Sequence, residues 1–165
     1  MLSRRAFLAS CASAGVGLGC YGFSAGSKDK RIKTVAVIPF DNETASADLP
    51  RELAEALREA LEKRLGYRAA PEEKADAIMK GKIVRYELDV PVAVSADRRQ
   101  SSTARRRLSI AVDLELIKQS DGVVLWQKSN LMAEGEYAER AELTGRKEAI
   151  QRIVSEVIDG AQSQW

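Results

Sequence analysis

Leu108-Ser109-Ile110-Ala111-Val112-Asp113-Leu114-Glu115-Leu116 decides the fold. Leu108, Ile110, Val112, Leu114 and Leu116 take every second position, and Ser109, Ala111, Asp113 and Glu115 fill the others. Successive strand side chains point to opposite faces, so a period of two predicts a strand with one apolar face. Ser120-Asp121-Gly122 then signals a tight turn, and Val123 to about Tyr137 returns as the hairpin partner. Upstream, in Ala77 to Val94, Val84, Tyr86, Leu88 and Val90 share one face, while Arg85, Glu87 and Asp89 share the other. Pro91 is expected to bend that strand or place it at an edge, because proline donates no ladder hydrogen bond.

On either side of these strands the apolar period changes. Ile32 to Phe40 predicts a buried strand, with Val35, Ala36, Val37 and Ile38 as a continuous apolar run ended by Pro39. Residues 41–50 predict a loop. From about Pro50 to Leu65, Leu53, Leu57, Leu61 and Leu65 recur every four residues, the spacing of one helix face. Asp48 is placed to cap that helix, Pro50 suits its first turn and Gly66 suits its end. Tyr67 to Ala70 reads as a short strand and Pro71-Glu72-Glu73-Lys74 as a polar turn. From about Thr144 to Ile158, Ile150, Ile153, Val154, Val157, Ile158 and Ala161 form one apolar stripe. Each helix must bury its stripe, and a sheet polar on one face offers the matching surface. The expected fold is α+β: a two-layer sandwich with both helices on one face of a roughly four-stranded mixed or antiparallel sheet.

The N-terminus reads as an export signal, giving residues 1–19 as a cleaved signal peptide, 20–31 as a lipidated Cys with a short tether, and 32–165 as a single domain. Ser3-Arg4-Arg5-Ala6-Phe7-Leu8 resembles the twin-arginine motif, although a two-arginine start also feeds the general route. Ala6 to Gly19 is apolar or small and uncharged, and too short for the about 20 residues of a membrane span. Gly17-Leu18-Gly19-Cys20 then has the form of a lipoprotein cleavage site, with Gly17 where Leu is usual. Leu8-Ala9-Ser10-Cys11 matches better locally but would leave almost no apolar core after the arginines. Cys20 is therefore the expected lipidation site, carrying diacylglycerol and an N-acyl chain; the alternatives are an ordinary signal peptide or an uncleaved anchor. The tether is small and polar apart from Tyr21 and Phe23, which suit a membrane interface or the domain edge.

Composition narrows the function. The chain has 165 residues, with Lys+Arg 26 against Asp+Glu 24. Arg4 and Arg5 lie in the signal, so the charge of the processed chain is balanced, which argues against nucleic acid as a partner. There is no histidine, the commonest general base and metal ligand, and both cysteines lie at or before the cleavage point. Asp41-Asn42-Glu43-Thr44 follows the first strand where a phosphate loop would need glycines. Acids cluster at Glu72, Glu73 and Asp76, and at Glu134, Glu136, Glu139 and Glu142, and read as solvated surface rather than a metal site. No enzyme, metal or cofactor is expected beyond the lipid on Cys20.

One charged run stands out. Arg98, Arg99, Arg105, Arg106 and Arg107 flank Gln100-Ser101-Ser102-Thr103 between two long strands. Guanidinium groups bind phosphate in bidentate geometry, so a hairpin tip with these arginines is a candidate site for lipid phosphates. An acidic patch on a partner, or simply a solvated loop, are the other readings.

The order of these elements resembles a known family. The carrying residues are Cys20-Tyr21-Gly22-Phe23, Ile32-Lys33-Thr34-Val35, Phe40-Asp41-Asn42-Glu43-Thr44, Ala75-Asp76-Ala77, Gly81-Lys82-Ile83 and Asp121-Gly122-Val123-Val124-Leu125-Trp126. They resemble the lipopolysaccharide-assembly lipoprotein family, LptE, over nearly all of the processed chain. That family begins with Cys and a Gly/Tyr pair, in an order swapped here. The resemblance implies an outer-membrane, periplasm-facing lipoprotein seated in the lumen of an LptD-like β-barrel, binding lipopolysaccharide and carrying no catalytic residues. A second resemblance, of "VAVIPFDNET" to lipoproteins that activate peptidoglycan synthases or build curli-type secretion pores, implies a regulator or pore component instead. The short tether favours a partner at the membrane itself.

Overall fold

The computed structural model describes residues 32–88 and 105–163, all within one compact unit that begins at Ile32. Cys20, the tether, Pro91, Arg98 and Arg99 lie outside the described residues. In chain order the elements are β1 (Thr34–Val37), β2 (Asp41–Asn42), α1 (Leu49–Leu65), β3 (Arg68–Ala69), a 3-10 turn (Glu72–Lys74), β4 (Ala77–Glu87), β5 (Arg105–Lys118), β6 (Val124–Ala138) and α2 (Glu142–Ser163).

The sheet is mixed and runs β3-β1-β4-β5-β6, with β2 paired to β4 beside β1. β4, β5 and β6 are antiparallel, whereas β1 lies parallel to both β3 and β4. A parallel neighbour needs a crossover, and α1 supplies the one between β1 and β3. Both helices pack on one face, as expected. The sheet has six strands against the roughly four expected: the short strand read at Tyr67 to Ala70 is β3, and the two-residue β2 lies in the stretch expected to be a loop.

One core lies between the layers. α1 contributes Leu49, Leu53, Ala54, Leu57, Ala60 and Leu61, so the every-fourth leucines do face inward. α2 contributes Ala149, Ile150, Ile153, Val154, Val157 and Ile158. β5 lies between β4 and β6 and presents Leu108, Ile110, Val112, Leu114 and Leu116 to them. Gly66 ends α1 in the left-handed region at φ 70°, where a glycine carries no Cβ penalty. Asp48 precedes α1 but makes no side-chain capping bond; its carboxylate pairs with Arg51 at 3.6 Å.

β4 departs from the expected phase. Ala77, Met79 and Ile83 are buried, so odd-numbered residues face the core in its first part. The register against β5 shifts between Ile83 and Arg85, and after this bulge Tyr86 turns inward. An extra residue in one strand flips the faces beyond it, so the predicted face of Tyr86 holds only past the bulge.

β6 is the long edge strand, and its outer rim is guarded. Glu148 of α2 accepts a hydrogen bond from the Glu136 N–H at 3.1 Å. A second irregularity lies between Val112 and Leu114 of β5, opposite Asn130 at φ 51°, whose N–H donates to Asp113 Oδ1 at 2.7 Å. Bulges and side-chain caps of this kind blunt exposed edges.

Candidate functional site

Of the candidate arginines, Arg106 and Arg107 have acids beside them among the described residues; Arg98, Arg99 and the Arg105 side chain lie outside the described residues. Arg105, Arg106 and Arg107 are the first residues of β5, paired in register with Ala138, Tyr137 and Glu136 of β6. Arg107 lies 3.1 Å from Glu134 and 3.6 Å from Glu136, and Arg106 lies 3.7 Å from Glu139. Glu134, Glu136 and Glu139 keep the exposure expected of surface acids and lie beside Arg106 and Arg107 across the strand pair. Glu142 is also engaged: its carboxylate accepts a short hydrogen bond from the Tyr86 hydroxyl. Burial pushes the Tyr86 phenol well above its usual value, and the Glu142 carboxylate reinforces this. An anion reaching Arg106 or Arg107 meets carboxylates already beside them.

The residues that carry the family resemblance hold structure together. Asp76 Oδ2 accepts from the Lys33 N–H at 2.9 Å, the Thr34 N–H at 3.0 Å and the Thr34 hydroxyl at 2.9 Å. The Asp76 N–H returns bonds to the Thr34 carbonyl and hydroxyl, clasping β1 to the start of β4. Asn42 Oδ1 accepts from the Thr44 N–H at 3.0 Å and the Thr44 hydroxyl at 2.7 Å, and its amide donates to the Ser46 carbonyl at 2.9 Å. This folds residues 42–46 back on themselves, as Asn does in turns. Gly81 faces the Asp113 carbonyl so closely that a Cβ would collide with it. Trp126 is buried against Gly160 of α2.

A polar knot fastens the same end of the domain. Arg146 of α2 is only 11% exposed; its Nε faces the Glu52 carboxylate at 3.5 Å, and a terminal nitrogen donates to Ser46 Oγ at 3.2 Å. It ties α2 to the first turn of α1 and to the 42–46 turn.

A second cationic surface escaped the sequence reading. A furrow runs between α1 and the β1–β3 edge. Its wider lobe, about 360 Å³, is lined by Val37, Pro39, Ala47, Pro50 and Ala54, with Arg51, Glu55 and Arg58 on its walls. Val37 and Arg58 also line a narrow continuation toward Leu61, Glu62, Tyr67 and Arg68. Arg51 is paired with Asp48 and Glu55. Arg58 makes one long bond, to the Val37 carbonyl at 3.4 Å, and among the described residues neither it nor Arg68 has an acid within ion-pair distance. No local charge run marks these two; the parallel pairing of β1 with β3 brings them together. Among the described residues no group of three or more acids, His or Cys is placed to hold a metal, and no helix is long and apolar enough to cross a membrane.

Two solved structures share this two-layer α+β class of fold. Protein XCC0632 from Xanthomonas campestris is similar at TM-score 0.54 and 12% identity, covering 79% of this chain and 86% of that one. The hypothetical protein CT253 from Chlamydia trachomatis is similar at TM-score 0.51 and 9% identity, covering 79% and 98%. Lipoprotein GNA1162 from Neisseria meningitidis is similar at TM-score 0.46 and 13% identity, covering 76% and 95%. No curated protein sequence matches the chain. The model of the LptE family, described as lipopolysaccharide-assembly, matches residues 32–160, and the chain belongs to that family.

Proposed function

We propose that the chain is a lipoprotein anchored through Cys20 on the periplasmic side of the outer membrane, where it acts without catalysis as plug and assembly partner of an LptD-like β-barrel that delivers lipopolysaccharide. The observation that carries this is the family match over residues 32–160, which takes in every described element up to the last turn of α2. The site chemistry agrees: the polar clusters described above are ion pairs and turn-forming bonds, each with a structural task. The arginine end of β5 is the proposed contact for lipid phosphates or for the barrel interior. Arg106 and Arg107 would exchange their carboxylate partners for it, and Arg98, Arg99 and Arg105 would extend it.

Affinity capture of the full chain from detergent-solubilised outer membranes tests the reading. Recovery of a large barrel protein supports it; recovery of a peptidoglycan synthase or a secretion pore in its place overturns it. Fractionation of Cys20→Ala tests the anchor, with release from the membrane expected and unchanged membrane retention refuting it.

A further inference from the structure

We propose that the furrow between α1 and the β1–β3 edge seats one acyl chain of a phosphorylated lipid, with the chain over Val37, Pro39 and Ala54 and the phosphate held by Arg58 and Arg68. This names a ligand subsite for the lipopolysaccharide reading above and rests on it.

Three observations converge on the furrow. Its wider lobe is lined by Val37, Pro39, Ala47, Pro50 and Ala54 beside three charged side chains of α1, and about 360 Å³ lies at the small end of the about 300–1,000 Å³ of ligand clefts. That size suits a single chain rather than a whole multi-chain lipid. Its narrow lobe carries Arg58 and Arg68 together, with the Tyr67 ring beside them. Burial raises the Tyr67 phenol above its ordinary value, so that ring adds apolar wall and no negative charge at neutral pH.

Charge selects the head group. The charged residues lining the furrow are Arg51, Arg58 and Arg68 with Glu55 and Glu62. Glu55 is engaged by Arg51, which leaves two guanidiniums against Glu62 alone. The contrast with β5 is direct: Arg106 and Arg107 already have carboxylates within 4.0 Å, whereas Arg58 and Arg68 have none among the described residues. Guanidinium is weakly hydrated and matches phosphate oxygens two at a time, so two such groups beside an apolar trough favour an acylated phosphate over a neutral amphiphile. Arg58 and Arg68 are exposed and can be altered without touching the core.

A dodecyl phosphate bearing a terminal diazirine, photoactivated in membranes that contain the full chain, tests this. Adducts mapped by mass spectrometry are expected on the segment 47–54, about tenfold above those from an equivalent uncharged dodecyl maltoside probe. Inorganic phosphate in excess is expected to leave the labelling in place, since the chain contributes to binding. Arg58→Gln combined with Arg68→Gln should lower the adducts about tenfold. Ala47→Trp, at an exposed position on the wider lobe, should block them without a charge change. Arg85→Gln, at an exposed position on β4 away from the furrow, should leave them unchanged. Equal labelling by the uncharged probe, or adducts that vanish with Arg85→Gln and survive the Arg58 and Arg68 changes, overturns the proposal. Barrel co-capture read in the same membranes separates the two readings. Loss of furrow adducts with the barrel retained sinks the furrow alone, and adducts without a barrel sink the assembly reading alone.

Discussion

Removing the Asp76 carboxylate measures the clasp between β1 and β4 directly. In Asp76→Ala the Lys33 N–H, the Thr34 N–H and the Thr34 hydroxyl all lose their acceptor. The Lys33 N–H is exposed, so water replaces its bond at little net cost. The two Thr34 groups are part-buried, and each loses a charged acceptor worth about 1 kcal/mol after allowance for partial solvation, so the expected cost is about 2 kcal/mol. For a domain of this size that lowers Tm by about 6–8 °C. The assay is paired urea and thermal unfolding of Asp76→Ala, Thr34→Val and the double variant. Both single changes break the same hydroxyl bonds, so the double variant should cost about 1 kcal/mol less than the sum. An Asp76→Ala protein within about 0.5 kcal/mol of the parent, or strict additivity, would falsify the clasp.

Other perturbations probe the remaining layers. Leu57 is fully buried in α1, so Leu57→Asp places an unpaired charge in the core and should abolish cooperative unfolding, read by circular dichroism. A Cβ on Gly135 of β6 would strike the Gly145 carbonyl of α2, so Gly135→Ala should cost about 1–3 kcal/mol in urea unfolding, against near-neutral substitutions elsewhere on the rim. The raised Tyr86 pKa has a definite sign. Its protonated form is favoured in the folded state, so the associated stability is complete below about pH 10 and is lost as pH rises through the higher folded value. Tyr86→Phe should flatten the alkaline side of the stability profile, and an unaltered profile would remove the group from the account.

Much of the fold was readable from local pattern. The alternation in residues 108–116 and the two helical stripes each describe a face that a layer must bury, and those faces are buried. What pattern could not show depends on distant partners. The bulge after Ile83 is set by pairing with β5, so nothing within β4 announces the change of face at Tyr86. β2 is two residues long and exists because β4 offers it a neighbour. The arginine run and the acid run are about thirty residues apart in the chain, and read separately each passes for a free surface. Antiparallel register places Arg107 against Glu136 and brings Arg106 and Arg107 beside acids of the second run. The opposite error hid Arg58 and Arg68, which lie in different elements and are joined by α1 crossing from β1 to β3. The resemblance motifs were legitimate markers of descent, yet Thr34, Asn42, Thr44, Asp76 and Gly81 serve the scaffold, so they identify the family without pointing to a ligand.

The single carboxylate that Glu148 lays on the rim of β6 has a consequence for life in the envelope. A strand added to β6 at Glu136 would have to displace Glu148 from that amide. Glu148→Ala would unlock that amide, and self-association should then rise with concentration while the monomer keeps its fold.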